Sequence, residues 1–282
     1  MTTGSLLTLG HGYTASALAA SLRADWKVAG TTRSEAKAES MRAAGVEPIP
    51  WDDAEGVDRA IAAADHLLVS LPPGAEGDPV LARHRTALAA AAPRWVGYLS
   101  TTGVYGDRAG GWVDEESAID PTTDRGRRRA DAEAAWLATG LPLHFFRLAG
   151  IYGPGRSALD RVREGRARRI VKPGQVFSRI HVADIARTLA ASIARPRPGR
   201  AYNLADDLPA SPQDVIAFAA DLLGALLPPE EPFEDADLSP MARSFYAESK
   251  RVSNARLKSE LGVELLYPNY RVGLRAIHAG QT

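Results

Sequence analysis

Short apolar runs alternate with alanine-rich segments of helical length along roughly the first hundred residues. Such alternation predicts a parallel sheet whose strands are joined by helices that cover both of its faces. The predicted strands are Leu6–Leu9, Trp26–Thr31, Val46–Pro50, His66–Leu71 and Trp95–Ser100. The predicted helices between them are Ala15–Arg23, Ser34–Ala44, Val57–Ala64 and Pro79–Ala92. We therefore expect a doubly wound α/β fold with right-handed crossovers.

The rest of the chain is less regular. A helix is predicted over Thr122–Thr139, and the apolar run Leu143–Leu148 predicts a buried strand. Glycine and proline interrupt the pattern beyond residue 150, where Ser211–Leu223 has the composition of a helix. The proline-rich and acidic segment Leu227–Pro240 is typical of a mobile flap or a solvated linker, and we favour the linker. We expect a sheet-based core over residues 1–150, and over residues 151–282 a mixed segment that completes the core and forms a smaller lobe.

The charge of the chain is balanced. Lys and Arg together number 34 in 282 residues, as do Asp and Glu, so nothing favours nucleic acid or an anionic membrane as a partner, and we expect a small-molecule ligand. The absence of cysteine excludes disulfides, thiolate nucleophiles and cysteine metal sites. No apolar run approaches the roughly 20 residues that cross a bilayer. Because Met1–Ser5 also lacks the basic flank of a signal peptide, we expect a cytoplasmic protein.

A glycine-rich turn lies between the first predicted strand and the first predicted helix. Gly10 allows a tight turn, Gly12 lets the backbone approach a pyrophosphate, and the small Ala15 lets the helix pack close to the sheet. The helix start, which includes Tyr13 and Thr14, offers N–H groups and a partial positive charge to phosphates. A G-x-G-x-x-A turn alone is weak evidence, but its place at the first strand-to-helix junction predicts a Rossmann-type dinucleotide site.

The end of the second predicted strand indicates which nucleotide binds. An NAD site normally has a carboxylate there, which binds the 2′-hydroxyl of the ribose. This chain has Thr32, Arg33 and Ser34 at that place and no acid. A guanidinium favours a 2′-phosphate through charge-assisted hydrogen bonds worth roughly 1.5–3 kcal/mol each. We therefore expect NADP in preference to NAD, and the alternative is that Arg33 belongs to a solvated loop.

Three further segments follow the turn in order, LSTTGVYGD at residues 99–107, RLAGIYGPG at 147–155 and RIHVAD at 179–184. Together with the turn they resemble the NAD-dependent epimerase/dehydratase, or extended, branch of the short-chain dehydrogenase/reductase superfamily. The resemblance covers about residues 5–275 and implies a nucleotide domain with a small C-terminal substrate lobe. In the family motif T-G-x-x-G-x-x-G, two glycine positions are taken by Leu9 and Ala15. The chain therefore resembles an atypical member.

The resemblance also implies where the cofactor and the chemistry lie. Residues expected at the cofactor are Asp52 near the adenine, the backbone of Ser70, Leu71 and Pro72 near the ribose, and Ser100. For Asp52, an exposed loop acid is the alternative. Members of the superfamily move a hydride between nicotinamide and a carbinol carbon, while a Ser or Thr, a Tyr and a Lys handle the proton. Thr101 takes the Ser/Thr position, and a homodimer through the helices near residues 79–92 and 122–139 is also implied.

The Tyr and Lys of the family are both replaced. The segment follows the family pattern Y-G-x-x-K-x-x-x-E with Glu133 in register, but Arg125 stands for the tyrosine and Arg129 for the lysine. A guanidinium stays protonated, so Arg125 cannot shuttle a proton, although it can stabilise an oxyanion or clamp an anionic substrate group. Arg129 can bond the cofactor ribose. The alternative is a solvated basic helix face, which we accept for Arg127 and Arg128.

Other candidates for chemistry are weaker. Tyr105, Tyr152 and His181 could donate a proton, but each is more readily explained as a structural residue. The basic run Arg161–Lys172 falls where the family builds its substrate side, which favours a phosphate or carboxylate on the substrate. The six histidines are scattered without metal-ligand spacing, so no metal is expected.

Two functions remain open at this point. The favoured one is an NADP-dependent oxidoreductase, epimerase or dehydratase that acts on a small polar substrate, sugar-like or anionic, with a non-standard proton relay. The other is a non-catalytic NADP(H)-binding redox sensor or regulatory protein, which the missing tyrosine motivates.

Overall fold

The computed structural model describes residues 4–22 and 25–281, and elements are numbered in chain order. The strands of the central sheet are β1 (Gly4–Leu9), β2 (Trp26–Thr32), β3 (Glu47–Pro50), β4 (His66–Val69), β5 (Trp95–Thr101), β7 (Leu143–Leu148) and β11 (Arg200–Leu204). Their order across the sheet is β11-β7-β5-β4-β1-β2-β3, and the pairs from β5 to β3 are parallel. Two predictions fall partly outside the described residues: the helix end at Arg23, and the lack of a signal peptide, which rests in part on residues 1–3.

Helices follow the strands as the sequence predicts. Those connected to the sheet are α1 (Tyr13–Ser21), α2 (Glu35–Ala43), α3 (Ala54–Ala63), α4 (Pro79–Ala90), α5 (Asp124–Leu137) and α7 (Val182–Ala194). Local capping explains where several begin, because the side chains of Ser34, Asp53 and Asp78 accept hydrogen bonds from the first turns of α2, α3 and α4. The prediction of a doubly wound Rossmann-type sheet is confirmed.

The strand order reverses at β1, which pairs with β2 on one side and with β4 on the other. In open α/β sheets, ligands bind at the carboxyl ends of the strands where the order reverses. The glycine-rich turn follows β1 directly and is therefore at this switch point.

The remaining elements are short strands and helices of the second half. The further strands are β6 (Trp112–Val113), β8 (Gly150–Tyr152), β9 (Arg169–Val171), β10 (Arg179–His181), β12 (Glu230–Pro232) and β13 (Arg251–Val252). The further helices are α6 (Ala158–Arg163), α8 (Pro212–Leu223), α9 (Pro240–Tyr246), α10 (Ala255–Leu261) and α11 (Tyr270–His278), with a 3₁₀ turn at Thr102–Tyr105. The strands pair in parallel as β8 with β10, β9 with β12 and β6 with β13.

The chain divides into two compact units. Unit 1 comprises residues 1–101, 127–147 and 185–202, and its core includes Leu7, Val96 and Trp136. Unit 2 comprises residues 102–126, 148–184 and 203–282, and its core includes Leu159 and Tyr270. Within the part of the chain that the structure describes, no helix combines the length and the apolar character that a membrane span requires.

The segment Leu227–Pro240 differs from the predicted linker. Three of its residues form β12, which pairs in parallel with β9 of the basic run. Glu231 accepts a hydrogen bond from Nε of Arg168 at 3.0 Å, and Glu230 accepts one from Arg169 at 2.8 Å. The interpretation as a solvated linker is wrong because its acidic residues neutralise neighbouring arginines, a long-range pairing that local composition does not reveal.

Candidate functional site

The turn after β1 is fastened to β2 by hydrogen bonds. The amide of Gly10 donates to Oγ1 of Thr31 at 2.7 Å, and the amide of His11 donates to the Thr31 carbonyl at 3.0 Å. Gly10 has a φ of 91°, and a Cβ there would lie 2.9 Å from the side chain of Leu71. Both the backbone conformation and the packing therefore require glycine at position 10.

Gly12 is different, because neither its backbone conformation nor the described residues packed around it require glycine. It is the N-cap of α1, with φ −97° and ψ −170°, a conformation open to any residue. Among the described residues other than its two chain neighbours, the atom nearest to a Cβ there would be Oγ of Ser70 at 3.9 Å, and no side chain caps the helix at this position. The open space at Gly12 therefore fits a ligand that approaches the backbone at the positive end of the helix.

The imidazole of His11 belongs to the inner face of the turn. Its Nδ1 lies 2.9 Å from Oγ1 of Thr8, and Gly30 in β2 leaves room for both side chains, since a Cβ there would lie 2.5 Å from that hydroxyl. Burial, helped by the positive charge of Lys37, lowers the pKa of His11 to about 4. His11 is therefore neutral near pH 7, and the positive charge near the turn comes from other residues.

The end of β2 and the start of α2 provide two positively charged residues near the turn. Arg33 is exposed, and four residues later Lys37 is in the first turn of α2. Within residues 4–22 and 25–281, neither side chain forms a hydrogen bond or an ion pair with the protein. Thr32 contributes its hydroxyl, which accepts from the Ser34 amide at 3.2 Å. Lys37 is not predicted from the sequence, because Arg33 precedes the helix cap Ser34 and no helical spacing links the two residues.

The carboxyl ends of β3 and β4 place the other predicted cofactor residues. Asp52 is exposed just beyond β3. The amide of Ser70 donates to the Leu9 carbonyl at 2.9 Å, and Leu71 packs against Gly10. The structure thus brings Ser70 and Leu71 to the turn, with Pro72 next in the chain.

The guanidinium of Arg129 lies at the carboxyl ends of β4 and β5. Its Nη1 donates to the Leu99 carbonyl at 2.8 Å, to the Tyr98 hydroxyl at 3.0 Å and to the Leu71 carbonyl at 3.5 Å. The group also lies over the Tyr98 ring, 5.5 Å from its centroid. Arg129 is therefore not part of a solvated basic face, and the chain holds it beside the strand ends that flank the switch point.

Ser100 belongs to a buried network. Its hydroxyl donates to Oε1 of Glu133, and Arg147 donates to both oxygens of the same carboxylate at 3.2 and 2.8 Å. All three side chains are buried in unit 1. The glutamate of the family pattern thus stabilises unit 1 through a two-point ion pair, and the Ser100 hydroxyl is engaged inside the protein.

The two residues expected at the reacting groups are in different units. Thr101 is the half-buried last residue of β5 in unit 1. Arg125 is exposed on α5 in unit 2, where its guanidinium lies 5.7 Å from the centroid of the Phe245 ring. Arg125 thus has an aromatic neighbour that limits its motion, as cation–π contacts do.

The other candidate proton donors are packed inside unit 2. The Tyr105 hydroxyl donates to Oδ1 of Asn203 at 2.7 Å, and both residues are buried. Burial raises the pKa of Tyr152 and lowers the pKa of His181 to about 4, and their rings meet edge to face at 5.1 Å. The structural interpretation therefore fits all three better than a catalytic role. Within the described residues, no group of three or more His, Asp or Glu side chains could hold a metal ion.

Comparison with known proteins gives one strong relative and several distant ones. No family model and no curated protein matches the chain. A functionally unknown conserved protein from Silicibacter pomeroyi DSS is 56% identical, with a TM-score of 0.93 and 99% of each chain covered. That identity over the whole length shows a common family.

Two characterised enzymes share the fold at low identity. A UDP-glucuronic acid 4-epimerase from Bacillus cereus, solved with NAD, has a TM-score of 0.75 and 16% identity, over 98% of this chain and 96% of that one. A dTDP-glucose 4,6-dehydratase from Streptomyces venezuelae, solved with NAD and TYD, has a TM-score of 0.76 and 18% identity, over 97% and 96%. These likenesses extend the similarity of fold to nearly the full length of the chain.

Proposed function

We propose that this chain, which belongs to the family of the Silicibacter pomeroyi protein, is an atypical extended short-chain dehydrogenase/reductase that binds NADP(H) and acts as an oxidoreductase, epimerase or dehydratase. The fold that it shares with the epimerase and the dehydratase supports this proposal. The observation that carries the proposal is the open space at Gly12, at the start of α1 and at the switch point of the sheet. Neither backbone conformation nor packing requires that glycine, whereas a diphosphate at the helix start does.

The choice of NADP over NAD rests on the end of β2. The two enzymes compared above were solved with NAD. Among the residues that the structure describes, the side chains of Arg33 and Lys37 have no hydrogen-bond or ion-pair partner, and residues 30–34 contain no carboxylate. Two unpaired cations and no acid favour the 2′-phosphate, which carries charge that the NAD ribose lacks.

The rest of the cofactor is assigned to residues along the same edge. Tyr13, Thr14 and Ala15 form the start of α1, where their backbone would face the diphosphate. We place the adenine near Asp52, and the second ribose near the backbone of residues 70–72 and the guanidinium of Arg129.

The bound nicotinamide would supply hydride transfer. Thr101 would hydrogen-bond a carbonyl or hydroxyl of the substrate. Arg125, protonated throughout the usable pH range, would stabilise negative charge on the substrate or bind its anionic group, but would not move a proton. We propose a small polar substrate, sugar-like or anionic, whose proton would be exchanged with water or with a group of the substrate itself.

Spectrophotometry tests this proposal. The full chain is incubated with NADPH and a panel of aldehydes, ketones and nucleotide sugars while the nicotinamide absorbance is followed. Turnover that is lost in Arg125→Ala supports an enzyme in which Arg125 contacts the substrate. Loss of turnover in Arg128→Ala, an exposed arginine of the same helix, would contradict that assignment.

A second candidate is a redox sensor that binds NADP(H) without turning it over. It is favoured by the absence of the tyrosine and by the burial of Tyr105, Tyr152 and His181, which leaves no obvious proton donor among them. Tight NADPH binding without turnover of any substrate, together with reductase activity gained by Arg125→Tyr, would select the sensor.

A further inference from the structure

Arg129 has one nitrogen that the protein immobilises. Nη1 donates hydrogen bonds to three oxygens. Two are the backbone carbonyls of Leu71 and Leu99, and the third is the Tyr98 hydroxyl. Leu99 lies in β5, and Leu71 follows the end of β4. A single nitrogen therefore ties α5 to the carboxyl ends of two neighbouring strands.

Two other nitrogens of the Arg129 guanidinium have N–H groups of their own. Nε and Nη2 donate to no residue of the described chain, residues 4–22 and 25–281. A guanidinium is planar, so fixing Nη1 from several directions also fixes the plane in which the remaining N–H groups point. The side chain thus offers a fork of preset orientation to a group that binds at this sheet edge.

The strand order indicates which part of a dinucleotide this fork meets. Arg33 at the end of β2 is on one side of β1, and Arg129 reaches β4 and β5 on the other side. A dinucleotide crosses the switch point with its diphosphate at the turn, so the half opposite the 2′-phosphate lies over β4 and β5. That half contains the nicotinamide ribose, whose hydroxyl groups accept hydrogen bonds.

We propose that Tyr98 is a positioning residue that sets the orientation of Arg129 toward the nicotinamide ribose. The inference deepens the proposed NADP(H) function and rests on it. Tyr98 is fully buried, and its ring is fixed by Trp136 and Phe145, at centroid distances of 6.0 and 6.2 Å. The core therefore sets the place of its hydroxyl, and the hydroxyl in turn helps to set Arg129.

Tyr98 acts through Arg129 and not as a proton donor. Burial raises the pKa of Tyr98 to about 12, against the opposing effect of the Arg129 charge, so the phenol stays protonated at physiological pH. The position also explains why arginine can stand where the family has lysine. The Tyr98 hydroxyl lies beside the carbonyls of Leu71 and Leu99, so Arg129, whose side chain is longer than that of lysine, finds acceptors for its guanidinium in several directions.

Cofactor fragments separate this role from a merely structural one. Tyr98→Phe keeps the ring and removes the hydroxyl. We expect it to weaken NADPH binding about fivefold to tenfold by calorimetry. It should leave the affinity for 2′,5′-ADP, which lacks the nicotinamide half, within about twofold. In an Arg129→Ala background, Tyr98→Phe should have no further effect on NADPH, since the group it positions is gone.

Tyr105→Phe is the matched control, because it also removes a buried tyrosine hydroxyl with a partner at 2.7 Å. It should leave the affinity for NADPH unchanged. The inference would be overturned, while the proposed function stands, if Tyr98→Phe weakened the binding of NADPH and of 2′,5′-ADP equally. It would also be overturned if Tyr98→Phe weakened NADPH binding as much in the Arg129→Ala background as in the wild type. Failure of the folded wild-type chain to bind NADPH would instead overturn the proposed function, and the inference with it.

Discussion

Replacing Arg33 by alanine tests the basis of the cofactor preference. The side chain is exposed at the end of β2 and, within the described residues, makes no hydrogen bond or ion pair that the substitution would break. Arg33→Ala should therefore leave the free energy of unfolding nearly unchanged, within about 0.5 kcal/mol. Any large effect on ligand affinity then reports the contact with the ligand.

The magnitude follows from the chemistry of the site. A charge-assisted hydrogen bond contributes roughly 1.5–3 kcal/mol. Solvent screening at an exposed position reduces this, and Lys37 remains to hold the 2′-phosphate, so we expect a loss of about 1–2 kcal/mol. At 25 °C this loss corresponds to an increase in Kd for NADPH of about fivefold to thirtyfold. The Kd for NADH should change less than about twofold, because NADH carries no 2′-phosphate.

Fluorescence titration with NADPH and with NADH measures both constants on one protein preparation. Arg42→Ala is the matched control, since Arg42 is an exposed arginine of α2 that pairs with Glu35 at 3.0 Å. It should change neither affinity. If Arg33→Ala raises the Kd values for NADPH and NADH by the same factor, or changes neither, the assignment of Arg33 to the 2′-phosphate is refuted.

Four more substitutions test other parts of the structure. Gly12→Ala should weaken NADPH binding about tenfold or more and leave the unfolding midpoint unchanged, since the new methyl group would lie 3.9 Å from Oγ of Ser70. Gly10→Ala should lower the unfolding midpoint, because Gly10 has a φ of 91°. The reverse pattern would contradict the geometry of the turn. Glu133→Ala leaves the buried Arg147 without its carboxylate and should cost about 3–5 kcal/mol in urea unfolding, whereas a loss below about 1 kcal/mol would contradict a buried pair. Burial raises the pKa of Asp206 from 3.8 to about 8, so the folded state binds the proton more tightly and stability falls as pH rises between these values. Asp206→Asn should remove most of that fall in the free energy of unfolding between about pH 5 and about pH 9. An unchanged dependence of the free energy of unfolding on pH would contradict the raised pKa of Asp206.

Much of the fold follows from local pattern. The periodicity of the first half predicts each strand of the sheet from β1 to β5, and β7, to within two residues at either end. Most of these strands are apolar, and turn or capping residues such as Ser34 and Asp78 mark the helix starts. Short strands such as β6 and β13, of two residues each, escape prediction because no periodicity develops over such a length.

The glycine turn and Arg33 are visible in the sequence because their spacing is local. The partners of Arg129 are not, since Leu71 and Leu99 contribute backbone carbonyls, which every residue has and which only the sheet brings together. The buried network of Ser100 is equally hidden, because Glu133 and Arg147 come from different elements. Long-range pairing is therefore the information that the sequence alone does not provide.

Calorimetric titration of the folded chain with NADPH and NADH shows whether it binds NADP(H) as the turn after β1 suggests. We expect saturable binding at one site per chain, with NADPH bound at least about fivefold more tightly than NADH. Absence of binding heat at millimolar NADPH and NADP, with the protein shown to be folded, would contradict it.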